Sequence, residues 1–151
     1  MGKGKPKGRD PRYLWVLALS LISFIASIAV YQLHQGSDVA SGVCSALGNK
    51  SQCDLIGSTP YAKLFGMDNA IIGILGFALM MFLSAGTYFR LSMLYQKLII
   101  AGSIISGVLA VYFIYLQMFV IHAYCFYCLI VDISSLVLLA MAVPEIEKHF
   151  L

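Results

Sequence analysis

Charge is what this sequence has least of. Lysine and arginine number 10 and aspartate and glutamate 7 among 151 residues, while 60% are hydrophobic. A soluble domain carries about a quarter of its residues as charge. A water-facing globule is therefore excluded, and lipid must serve as part of the solvent. No internal repeat is present, and no run of charge interrupts the apolar stretches. The length suits one domain.

What is there is four apolar runs, at residues 13–33, 69–89, 98–121 and 125–143. Each is close to the roughly 20 residues, at 1.5 Å apiece, that a bilayer crossing needs. The pattern predicts an all-α fold, an integral membrane four-helix bundle with one substantial polar loop at 34–68. Within that loop short helical pieces are expected at 43–47 and 60–65. Residues 1–12, rich in Gly, Lys and Pro, read as a disordered basic tail, and 144–151 as a second tail. The connection at 122–124 is so short that the third and fourth helices must be antiparallel neighbours. In the third run Ala101, Gly102, Ser103, Ser106, Gly107 and Ala110 recur at spacings of three and four. That is a face for close helix packing and needs no chemical role.

Orientation follows from the few cations. Lys3, Lys5, Lys7, Arg9 and Arg12 precede the first run, and Arg90 and Lys97 lie between the second and third. Lys50 and Lys63 in the first loop are opposed by Asp38, Asp54 and Asp68. The positive-inside bias places both termini in the cytoplasm and the first loop outside. A cleaved signal peptide is the rival for the first run, but its apolar part exceeds the usual length. The short basic tail beside a membrane helix is not read as a nucleic-acid site.

Topology gives the four cysteines their meaning. Cys44 and Cys53 fall in the first loop, and Cys125 and Cys128 open the fourth run at the same, oxidising side. In Cys125-Phe126-Tyr127-Cys128 the sulfurs can bond to each other, and one faces the free N–H groups of a helix start. Those groups favour a thiolate, the nucleophile of disulfide exchange. A structural disulfide gains little from so short a loop, which argues for redox work. Two structural disulfides and a metal site stand beside that reading. Zinc sites usually show two close pairs, whereas Cys44 and Cys53 are nine apart. Haem attachment needs a histidine where Leu129 stands.

Two cysteines in the first loop, the stretch Ser58-Thr59-Pro60-Tyr61-Ala62-Lys63-Leu64-Phe65-Gly66, then Asn69, and a Cys-x-x-Cys heading the last helix together resemble the vitamin K epoxide reductase (VKOR) family, in its compact prokaryotic, disulfide-forming type. The resemblance runs from about Tyr13 to Val143. It implies a four-helix bundle that holds a quinone (ubiquinone, menaquinone or similar) beside the Cys-x-x-Cys. Cys125 and Cys128 match the active-site pair, and Cys44 and Cys53 the pair that shuttles electrons. Asn69 matches a residue that hydrogen-bonds the quinone oxygen, and Thr59, with Ser58 before it, stands where a serine assists the site.

The implied activity is a thiol:quinone oxidoreductase of the plasma membrane that reoxidises a separate extracytoplasmic thioredoxin-like protein and so supports disulfide formation. Its implied relay runs from the partner to Cys44–Cys53, through a transient Cys53–Cys125 disulfide, to Cys128 facing the quinone. Two departures matter. Asp132 stands where eukaryotic members have a tyrosine, and the segment between Gly66 and Asn69 is shorter than theirs. Both count against vitamin K epoxide as substrate, which remains the alternative, together with a non-catalytic membrane assembly protein held by structural disulfides. Asp132, the one ionisable group in the fourth run, is a functional candidate by default. It lies four residues after Cys128, on the same helix face. Phe126, with Tyr124 and Tyr127, can line the quinone pocket or form an interfacial aromatic belt. His122 can act on a thiolate or simply meet headgroups and water.

Overall fold

The structure, a computed structural model, describes residues 10–36, 38–47, 55–90 and 92–150. Helix α1 spans Pro11–His34. Pro11 starts it, with its ring already at a helical φ and no N–H to strand. Gly36, at φ 81°, ends it by turning left-handed and donating to Leu33 O at 3.0 Å. Helix α2, Asp38–Leu47, lies across the same end of the bundle, against α1 and the last helix. A single helical turn at 55–58 follows, then a 3-10 turn at Pro60–Ala62.

A minimal hairpin comes next, with β1 (Lys63–Leu64) antiparallel to β2 (Met67–Asp68) and Lys63 opposite Asp68. Phe65 and Gly66 both have positive φ, 53° and 80°, the geometry of a tight two-residue hairpin turn. The helix expected at 60–65 is thus corrected: only its first half is helical, because the left-handed pair folds the chain back on itself.

Asp68 caps α3, Asn69–Phe89, by accepting the Ala70 N–H at 2.9 Å. Helix α4, Met93–Tyr115, widens into a π-helical stretch at Leu116–Ile121 and stops at left-handed His122. Helix α5 runs Phe126–Phe150. Two expected boundaries are corrected. The third span begins at Met93 rather than 98, since Gln96 and Lys97 favour helix and extend it past the apolar run. The fourth does not end at 143. Pro144 sits inside α5, and Glu145 beyond it pairs with Arg12 at the start of α1 and with Lys148 at 3.2 Å.

All four long helices are long and apolar enough to cross a membrane, and about a third or less of each is buried in the bundle. Trp15, Ile25, Leu75, Phe82, Ile105, Val108 and Ile133 face outward, as suits a protein whose solvent there is hydrocarbon. Helix α1 packs on α3 and α5, and α4 on α5, while α3 and α4 meet least closely. Glycine sets the tight crossings. A Cβ on Gly73 would lie 2.7 Å from Ser27 Oγ, and one on Gly107 2.7 Å from Leu139 Cβ. The small face of α4 is divided: Ser103 and Gly107 are buried, whereas Ala101, Gly102 and Ser106 border a cavity at the α3–α4 seam. At the end of the bundle that carries α2, Val30, Leu33 and Ala70 pack around Cys125 and Tyr127.

Candidate functional site

The site is built on the start of α5. Cys125 precedes the helix and its carbonyl accepts the Leu129 N–H at 2.9 Å. That first helical turn brings the Cys128 N–H to 3.4 Å from Cys125 Sγ. Both cysteines are free thiols; Cys125 is buried and Cys128 half-buried. The side-chain hydrogen bond from Cys128 lowers the Cys125 pKa below its ordinary value, burial opposes it, and the backbone N–H groups of Cys128 and Tyr127 lower it further. The Cys128 side chain, helped by the backbone N–H groups of the helix start, therefore makes Cys125 the more acidic thiol of the pair.

Gln117 holds this arrangement from the facing helix. It sits in the π-helical stretch of α4, 3% exposed. Its Oε1 accepts the Cys125 N–H at 3.3 Å, and its Nε2 donates to Asp132 Oδ2 at 3.0 Å. Asp132 is also 3% exposed. Sequence reasoning passed over Gln117, although it is the one amide in the third apolar run.

Beside these groups lies a cavity of about 500 Å³, enclosed by the long helices and the segment before α3. Its walls are mostly aliphatic and aromatic. His34, Thr59, Asn69, Gln117, Cys128 and Asp132 supply the principal polar groups. Asn69 Nδ2 donates to Tyr61 O at 2.8 Å, leaving its Oδ1 buried with no hydrogen-bond partner among the described residues. Thr59 spends its hydroxyl on Ile56 O at 2.8 Å but keeps its place in the wall. A second overlooked feature is His34, whose Nδ1 lies 2.7 Å from Asp68 Oδ2.

Two of the residues expected to contact a ligand do not border this cavity. Ser58 is exposed, bonds its hydroxyl to Leu55 O at 2.8 Å, and does not reach the cavity. Phe126 is 38% exposed and also lies outside the wall. It stands two residues before Cys128, which at about 100° per residue puts it on the opposite side of the helix. Its ring meets that of Tyr127 edge-on, with centroids 6.1 Å apart. His122 and Tyr124 are exposed, away from the cavity. Cys44 falls on α2, and its side chain is not among the described residues; Cys53 lies outside the described residues altogether.

Residues 14–143 match the Vitamin K epoxide reductase family. The chain belongs to that family. No curated protein matches it in sequence. VKOR members are membrane oxidoreductases that link thiols to quinone or vitamin K, generally with a thioredoxin-like partner. This VKOR protein has the same broad chemistry, that of a membrane quinone-linked thiol oxidoreductase or epoxide reductase.

The cavity suits a quinone on its own terms. Its size is in the range of roughly 300–1,000 Å³ that holds a small organic ligand, and it is apolar with a few convergent polar groups. The orphaned Asn69 Oδ1 is an acceptor awaiting a donor, such as the hydroxyl of a reduced quinone.

Proposed function

We propose that the protein is a thiol:quinone oxidoreductase that reoxidises a separate, extracytoplasmic thioredoxin-like protein, reduces a membrane quinone, and thereby supports disulfide formation. The observation that carries this reading is the division of labour within the cysteine pair. Cys128 belongs to the wall of an apolar cavity, while Cys125 stands outside that wall with its pKa lowered below the ordinary value. Such a pair can face a lipid-soluble oxidant on one side and a protein disulfide on the other.

Electrons enter at the loop. A thiolate of the partner attacks Cys44 and releases Cys53, and Cys53 attacks Cys125 when Cys125 and Cys128 are joined. Cys128 leaves as a thiol or thiolate beside the cavity. Each step is a thiol–disulfide exchange through a mixed disulfide. A bound quinone supplies the two-electron acceptor. Asn69 and Asp132 would hold its polar atoms beside Thr59, and the aliphatic walls would exclude water. Asp132, tied to Gln117, stands where eukaryotic members have a tyrosine, a departure that counts against vitamin K epoxide as substrate.

The orientation we propose has both termini in the cytoplasm and the cysteines on the extracytoplasmic side of the plasma membrane. Arg12 and the cations at 90 and 97 lie at the end of the bundle opposite Cys125, in keeping with the positive-inside bias.

The decisive experiment is quinone reduction by the purified protein in nanodiscs, with ubiquinone-1 and a menaquinone analogue as acceptors and a reduced thioredoxin-like protein as donor. Turnover that Cys128→Ala abolishes is the expected result. A protein that reduces vitamin K epoxide but neither quinone would overturn the reading.

A further inference from the structure

Oxidising the Cys125–Cys128 dithiol breaks two S–H bonds and forms one S–S bond, releasing two electrons and two protons. Converting a quinone to its quinol takes up both electrons and both protons in two new O–H bonds. Cys128 borders the cavity and Cys125 lies outside its wall, so the proton from Cys125 needs a carrier to reach a molecule bound there. Another group on the cavity wall must hold one proton in transit.

His34 and Asp68 have the arrangement for it. They come from opposite sides of the loop, at the end of α1 and the start of α3, and meet at 2.7 Å with side chains 16% and 19% exposed. A carboxylate oxygen accepts, so the ring proton sits on Nδ1 and Nε2 is left as the working nitrogen. Asp68 cannot drift, because its other oxygen accepts the Ala70 N–H at 2.9 Å as the cap of α3. Asn69 is the next residue in the chain, so the same cap fixes the amide that lines the cavity. Gly57 lies flat against the far edge of the ring: a Cβ there would come within 2.7 Å of Cδ2 and 2.9 Å of Nε2. Only glycine lets the chain pass this close to the Nε2 edge. His34 and Cys128 line one cavity.

We propose that His34 carries a proton between the Cys125–Cys128 pair and the bound quinone, with Asp68 as the positioning residue that fixes its ring and tautomer. The inference rests on the quinone-reducing function proposed above. It adds a carboxylate–histidine relay to a site whose sequence pattern pointed to the cysteines, Asn69, Ser58, Thr59, Asp132 and Phe126.

Two measurements on the full-length protein in nanodiscs test it. The first is chemical and independent of turnover. Diethylpyrocarbonate modifies accessible histidine rings, and mass spectrometry separates His34 from His122 and His149. Bound ubiquinone-1 is expected to protect His34 severalfold and leave the other two unchanged. The second is kinetic. General acid–base groups contribute roughly 100-fold or more, so His34→Gln should slow ubiquinone-1 reduction by about that factor while dithiothreitol still reduces the Cys125–Cys128 disulfide at the wild-type rate. Added imidazole should restore part of the turnover of His34→Ala, which a purely structural histidine would not allow. Asp68→Asn keeps a capping side chain and should lose about tenfold, the scale of an orienting partner. If the histidine variants fold poorly, protection of His34 in the wild-type protein and turnover of Asp68→Asn decide the matter. An unprotected His34, or His34→Gln turnover within twofold of wild type, overturns the relay alone. A wild-type protein that exchanges disulfides but reduces no quinone overturns the proposed function first, and the relay with it.

Discussion

Gln117 donates from Nε2 to Asp132 Oδ2 at 3.0 Å, and both side chains are almost wholly buried. Through its other amide atom, Gln117 also accepts the Cys125 N–H at 3.3 Å. One amide on α4 therefore ties the carboxyl in the cavity wall to the backbone of the active thiol. The helix start at Cys125 and the acid in the cavity wall are parts of one connected polar unit.

Removing that amide should be felt in both places. Gln117→Leu fills the volume but leaves the Asp132 carboxyl and the Cys125 N–H without their partner. Each buried unsatisfied group costs on the order of 1–3 kcal/mol. The variant should therefore melt several degrees lower in detergent and reduce quinone more slowly. Wild-type stability and turnover would show that other groups satisfy Asp132.

Asp132→Asn tests the acid separately from its packing. An asparagine keeps the shape and can still accept from Gln117 Nε2, but has no carboxyl proton to give. Quinone turnover should fall while exchange between Cys53 and Cys125 continues at its normal rate. Stopped-flow measurement of quinone reduction, run beside mass-spectrometric trapping of the mixed disulfide, separates the two. Wild-type turnover across the pH range would reduce Asp132 to a structural role.

The lowered pKa of Cys125 has a testable origin. Its largest cause is the hydrogen bond from the Cys128 side chain. In a Cys44→Ser, Cys53→Ser background, the pH midpoint for alkylation of Cys125 by iodoacetamide should lie below that of an ordinary thiol. Cys128→Ala should move it upward. The sign for stability follows: with the folded pKa depressed, the stabilisation is fully present above the unfolded pKa and is lost as pH falls through the folded value. A midpoint unmoved by Cys128→Ala would assign the shift to the helix start alone.

The relay is open to trapping. Cys44→Ser leaves Cys53 free to attack Cys125, so a Cys53–Cys125 disulfide should accumulate in non-reducing digests. If only a Cys125–Cys128 bond forms at every redox poise, the relay is wrong. In the wild-type protein, a membrane-impermeant maleimide should label reduced Cys44 from the extracytoplasmic side. Labelling confined to the cytoplasmic side would invert the orientation.

By itself the sequence determined the class of the molecule. Four apolar runs of bilayer length admit little besides a helical membrane bundle, because backbone groups in lipid must be satisfied within their own segment. The spacing of Cys125 and Cys128, and their position at the head of a run, were equally legible, since a helix start and its thiols are local. Helical spacing singled out Asp132, and the family resemblance Asn69 and Thr59; all three line the cavity. Direction escapes such readings: Ser58 and Phe126 turn away from the cavity, one by bonding its own backbone and the other by helical phase. Only the tertiary structure decided the rest. Gln117 meets Asp132 across two helices, and His34 meets Asp68 across 34 residues of chain. The cavity exists because α3 and α4 pack less closely than the other neighbouring helices. No single segment encodes such partnerships, because each depends on how two helices are turned toward one another, and that is set by the packing of the whole bundle.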